Sequence, residues 1–150
     1  MSVSDIILPS AVSFNSKIKS REALLKKFVS CAVPVTKPKM RTLLYNELMK
    51  REQIGSTYLG HDCALPHARV RGLKKYYLGF YFSKKGVAFG EQSSVQYIFV
   101  LVGPRDDPAG YIKYITQIAR VLKDAAARER LQNAATINEL KKIISKYEIS

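Results

Sequence analysis

No run of about 18 apolar residues occurs in this sequence, so no part of it reads as a membrane-spanning helix. The opening stretch, MSVSDIILPSAVSFNSK, lacks a basic region followed by an apolar one and does not read as a secretory signal. Cysteine is scarce. Cys31 and Cys63 are too few for a disulfide framework and form no CxxC pair, which points to a reducing, cytoplasmic setting. Histidine is equally scarce: His61 and His67 are the whole complement, and the spacing HDCxxxH fits no common zinc pattern, so neither a metal nor another cofactor is expected. Acidic residues number 12 against 25 Lys and Arg, a net charge of +13 that favours anionic partners. No arginine-rich tail gathers the bases; they lie scattered in pairs such as Lys26-Lys27 and Lys84-Lys85, as on a solvated surface. Internal repeats and low-complexity stretches are absent.

What is present is the make-up of one domain spanning residues 1–150, long enough to bury roughly 70% of its unfolded surface. Residues 20–33 place Leu24, Leu25, Phe28, Val29 and Ala32 on one helical face. Residues 36–55 have Thr36 as a cap, Pro38 in the first turn, a stripe of Leu43, Leu44 and Leu48, and Gly55 at the end. YYLGFYFS (76–83) and VQYIFVLVG (95–103) read as strands, the second apolar on both faces as in a sheet covered twice. KKGVAFGEQSS between them reads as a short extra strand or a turn. Residues 109–124 are helical, with apolar Tyr111, Ile112, Ile115, Ile118, Ala119 and Leu122, and Thr136 with Glu139 forms a capping box before a last helix. The expected fold is α/β: a central mixed β-sheet flanked by helices on both sides.

The chemistry concentrates in REQIGSTYLGHDCALPHAR (51–69). Its glycines and small polar residues expose backbone N–H groups that suit an anion. Pro66 fixes its own φ and holds Leu65 extended, so His67 is presented from a stiffened backbone. Arg69 stands two residues after His67 and Arg51 sixteen before it, and no carboxylate lies within four residues on either side. An imidazole among cations stays neutral near pH 7 and keeps one lone pair, as attack on phosphorus requires. Cys63 reads as a half-buried structural thiol and His61 as an exposed side chain.

These residues resemble the active-site stretch of enzyme IIA of the bacterial phosphotransferase system, the fructose/mannitol/nitrogen-regulatory type. Arg51-Glu52, Gly55-Ser56-Thr57, Gly60 and Ala64-Leu65-Pro66-His67-Ala68-Arg69 carry the likeness, which continues through residues 72–90, 95–104 and 111–124. A free-standing chain with Gly-Ser-Thr is most similar to the nitrogen-regulatory branch. The resemblance implies that His67 accepts a phosphoryl group from a histidine phosphocarrier protein (HPr/NPr-like), and that its phosphorylation state controls target proteins. It implies that Arg51 steadies the phosphate, with Gly55, Ser56, Thr57 and Arg69 as binding residues. Many relatives carry a second histidine where this chain has Tyr111, which can donate one hydrogen bond in its place but cannot carry charge.

Three other readings stay open. The chain is a regulatory binding protein of the same fold that is not phosphorylated, or a sugar-specific component partnered with a membrane permease. Alternatively it is a basic nucleic-acid-binding module, a reading that rests on the charge and on KKYYLGFYFSKK, whose alternating aromatics are better explained as core.

Overall fold

The computed structural model describes residues 2–34 and 37–148. A 3-10 turn leads into β1 (Ile7–Ser13), followed by helices α1 (Arg21–Ala32) and α2 (Pro38–Ile54). Three short strands come next: β2 (Tyr58–Gly60), β3 (Cys63–Ala64) and β4 (His67–Val70). Two long strands, β5 (Tyr77–Phe89) and β6 (Gln92–Pro104), precede helices α3 (Pro108–Lys123), α4 (Ala125–Asn133) and α5 (Ile137–Ser145). The strands form one six-stranded sheet in the order β1-β5-β6-β3-β2, with β4 also on β6. β1 runs parallel to β5, β5 antiparallel to β6, and β3 and β4 parallel to β6, so the sheet is mixed as the sequence implied.

The alternation along β6 explains the layers. Tyr97, Phe99 and Leu101 pack with Ile118, Val121, Leu131 and Leu140 of α3–α5. Ile98, Val100 and Val102 point the other way, onto Leu24, Phe28, Leu44 and Leu48 of α1 and α2. Successive strand side chains face opposite sides, so a strand that is apolar at every position needs a helical cover on each face.

Ser20 caps α1 by accepting from the Ala23 amide, and Leu24, Leu25, Phe28 and Val29 are its buried residues. In α2, Pro38 occupies the first position and Leu44 and Leu48 are fully buried, but Leu43 is 39% exposed. The Thr36 cap lies outside the described residues. Thr36 is not needed to place the helix start, since proline is pre-organised for the first turn.

Several expectations are corrected. Of the extra strand or turn expected in KKGVAFGEQSS, the structure has the turn, at Gly90-Glu91, and β5 and β6 run through the rest in place of a separate strand. Gly86 (φ 85°) sits where the register shifts, and a Cβ there would meet the Ser94 Cα at 2.8 Å. In α3 the buried face is Tyr111, Tyr114, Gln117, Ile118, Val121 and Leu122, while Ile112 is 63% exposed. At the start of α5, Thr136 accepts from the Glu139 amide as in a capping box, but Glu139 reaches back to the Ala135 amide. Cys63 is wholly rather than half buried, and β1 and α4 are elements beyond the sequence expectation.

Candidate functional site

β3 and β4 lie end to end along β6. Cys63 and Ala64 pair with Tyr97 and Ile98, and His67 to Val70 pair with Leu101 to Pro104. The interruption is Leu65-Pro66, where the Pro66 carbonyl accepts from the Leu101 amide and keeps the segment on the sheet. His67 is therefore the first residue of a strand, held by the ladder and not by a free loop.

The ring is half-buried, and its Nδ1 lies 2.6 Å from the Leu65 carbonyl oxygen. A carbonyl only accepts, so Nδ1 carries the proton and Nε2 keeps its lone pair. Burial, chiefly, and the Arg51 guanidinium push the imidazole below its ordinary value, against the Leu65 hydrogen bond, which raises it. The neutral form is favoured, as expected from the neighbouring arginines, but burial and not their charge is the larger cause.

Arg51 sits in the last turn of α2, where a cation complements the helix C-terminus. Its guanidinium donates to the Gly55 carbonyl at 2.7 Å. Arg69, two residues along β4 from His67, donates to the Arg105 carbonyl at 3.3 Å. Its guanidinium carbon stands 5.2 Å from the Tyr111 ring centre, and that ring lies 5.8 Å from the His67 ring. Tyr111 thus touches both, and burial pushes its phenol up despite Arg69 and Arg51, so it stays neutral. Together with Glu47, Lys50, Ile54, Ala68 and Arg105, these four residues line a cleft of about 410 Å³. The cleft opens at the edge of the sheet, between α2 on one layer and α3 on the other.

The structure brings His67, Arg51, Arg69 and Tyr111 together. Gly55, Ser56 and Thr57 are elsewhere engaged and do not line the cleft. Gly55 enters only through its carbonyl, on Arg51. Ser56 Oγ accepts from the Tyr58 amide at 3.2 Å. The Thr57 amide donates to Glu52 Oε2 at 3.1 Å, and its hydroxyl also bonds that carboxylate. The Thr57 carbonyl accepts from the Leu65 amide at 3.1 Å. A relay results: Arg21, 3.7 Å from Glu52, then Glu52, Thr57, Leu65 and the His67 ring. Glu52 is 5% exposed, and its role and that of Glu47 escape sequence reasoning. The one available signal for Glu52 is its place beside Arg51 in a helix whose other buried residues are leucines.

His61 is exposed in the β2–β3 turn, with φ 52°, and does not line the cleft. Cys63 packs in the core near the Leu122 carbonyl, and burial pushes its thiol up to about 12. Among the described residues, no group of three or more His, Cys, Asp or Glu side chains is placed to hold a metal, and no helix is long and apolar enough to cross a membrane. Of the five aromatics of the nucleic-acid reading, Phe80, Tyr81 and Phe82 are buried in the core and Tyr76 and Tyr77 are partly buried against it.

Comparison with known proteins places this geometry in context. The family model described as phosphoenolpyruvate-dependent sugar phosphotransferase system, EIIA 2, matches residues 5–147. A nitrogen regulatory protein of Bradyrhizobium diazoefficiens is 26% identical over 134 residues, 88% of this chain and 87% of that protein. The crystal structure of nitrogen regulatory protein IIA-Ntr from Neisseria meningitidis superposes with a TM-score of 0.83 at 22% identity, over 95% of this chain and 98% of that one. Enzyme IIAMtl of Escherichia coli, solved in complex with phosphorylated enzyme IIBMtl, gives a TM-score of 0.68 at 20% identity, over 91% and 95% of the two chains.

Proposed function

Since this chain belongs to the EIIA 2 family of the phosphoenolpyruvate-dependent sugar phosphotransferase system, we propose that it is a phosphoryl-accepting regulatory component of such a relay and that His67 is its acceptor. The observation that carries the assignment is the 2.6 Å hydrogen bond from Nδ1 to the Leu65 carbonyl, which leaves Nε2 as the nucleophile in a cation-lined cleft. The donor is a phosphohistidine on a small carrier protein, and the readers of the modified state are target proteins that dock over the cleft.

In the transfer, the Nε2 lone pair forms the new N–P bond. The bond from phosphorus to the carrier's ring nitrogen breaks, and its electron pair returns to that nitrogen. Each ring keeps the proton on its other nitrogen, so no proton crosses between them. His67 gains positive ring charge as the bond forms, and the Leu65 carbonyl, already aligned on Nδ1–H, stabilises it as a charge-assisted hydrogen bond. Arg51 and Arg69 supply guanidinium donors for the phosphoryl oxygens. An electrostatic contact of this kind lowers the barrier by about 3 kcal/mol when its donor is set before the reaction. Arg69 is held by the Arg105 carbonyl and the Tyr111 face, and Arg51 by the Gly55 carbonyl, so little reorganisation is needed.

Incubation with a phosphorylated carrier is expected to give one adduct, labile in acid and stable in base, that is lost in His67→Ala. An adduct that persists in that variant overturns the assignment. A second reading, a regulatory binder of the same fold that is never phosphorylated, draws on the neutral Tyr111 phenol, which brings no charge to a phosphate; absence of any adduct on the native chain favours it.

A further inference from the structure

We propose that the mouth of the His67 cleft docks a protein partner whose contact face is acidic, and that in the phosphoryl relay this partner is the phosphohistidine carrier. This rests on the acceptor reading above and adds the chemistry of the docking face. Four cations, Lys50, Arg51, Arg69 and Arg105, line the cleft against one carboxylate, Glu47. The chain as a whole has 25 bases to 12 acids, so positive charge is more concentrated at this mouth than over the molecule. Among the described residues, none of the four cations is in an ion pair within the chain. Lys50 and Arg105 are exposed at the rim and take no part in holding the His67 ring.

The rim is also apolar in the right places for a protein. Ile54, which ends α2 and lines the cleft, is 78% exposed, and Ile112, next to Tyr111 in the first turn of α3, is 63% exposed. Large aliphatic side chains flanking a charged centre suit a protein contact, where a small apolar patch sets the fit and surrounding charges set orientation. A nucleic acid fits less well. The aromatic ring of the cleft is buried and covered by Arg69, which leaves no open face for a base to stack on. A carrier with acidic groups around its phosphohistidine meets the four cations in every productive encounter, whereas a basic carrier is repelled before contact.

The test offers three phosphoryl donors to the native chain: two phosphorylated carrier proteins of one fold, acidic or basic around the phosphohistidine, and phosphoramidate as a small donor that needs no docking. At low salt the acidic carrier is expected to transfer about tenfold faster, and the preference is expected to shrink as salt rises. The variant Lys50→Gln, at an exposed rim cation that holds neither the ring nor the phosphate, is expected to slow transfer from the acidic carrier about fivefold, with phosphoramidate labelling of His67 kept within about twofold. Equal, salt-insensitive rates from both carriers, with phosphoramidate labelling intact, overturn this inference and leave the acceptor reading standing. Failure of every donor to label His67 removes the acceptor reading and this inference with it. Loss of binding to a short single-stranded RNA or to phosphatidylserine vesicles in Lys50→Gln, with carrier transfer unchanged, assigns the rim to those ligands and overturns the proposal.

Discussion

At His67 the two ring nitrogens have different tasks, because Nδ1 is engaged by the Leu65 carbonyl and Nε2 is not. Burial and Arg51 hold the imidazole below 6.5, so the native chain binds fewer protons than the unfolded one just beneath that pH. Stability therefore rises with pH through this window, and the contribution of the neutral ring is lost as pH falls below 6.5. Phosphoryl acceptance should follow the same titration, staying active at pH 6.5 and failing only at lower pH, as a pH series of initial labelling rates would show. An inflection above 6.5 would contradict the environment described. Glu52 carries a different expectation. Glu52→Leu leaves the buried Thr57 amide and hydroxyl without their partner and the half-buried Arg21 with Glu22 alone, so it is expected to destabilise by about 3 kcal/mol in urea denaturation. Most of the cleft was legible in residues 51–69, since a proline before a histidine and two arginines have few other uses in that pattern. The amides of Gly55–Thr57 were a poor guide because small residues near an active site also serve to hold a loop, here through Glu52. Glu47 lies one turn before Arg51 on α2 and Arg105 follows β6, and nothing in their local sequence marks them.

Among the elements, periodicity located the strands and helices that bury a regular stripe and failed where no stripe exists. β1, ILPSAVS, has the burial of an edge strand, with Ile7 and Ala11 inside and Pro9 and Ser10 outside, so its sequence alternates poorly. α4 buries only Ala127 and Leu131, and its start is set by Asp124, whose side chain accepts from the Ala126 amide. β5 and β6 extend through KKGVAF and QSS because pairing with each other compensates for weak strand propensity. Close packing of α1 on the sheet depends on Gly79. A Cβ at that position would lie 2.7 Å from Phe28, which is itself fully buried. Gly79→Ala is therefore expected to cost about 1–3 kcal/mol, read as a lower urea midpoint at unchanged slope. A neutral or stabilising result would mean that Phe28 has room to move.

Over the whole molecule, two cores share one sheet, and the positive surface surrounds them. Net charge was plain from composition, but its concentration at the His67 cleft was not, because Lys50, Arg69 and Arg105 are distant in sequence. The cores make a prediction of their own. Cys63 is fully buried with its thiol pushed up to about 12, while Cys31 is partly exposed. A thiol reagent at pH 8 is expected to modify Cys31 alone in the native chain and both cysteines in denaturant; rapid native modification of Cys63 would show that the core opens there. The cleft, finally, is bounded by α2 from one layer and by α3 from the other, with β4 between them. Neither half of the sandwich contains it alone. If either layer peels from the sheet, the arginine and the tyrosine part company, and the histidine is left without its neighbours. Whatever reads this cleft is thereby also reading whether the molecule is intact, and a damaged copy falls silent instead of sending a false signal.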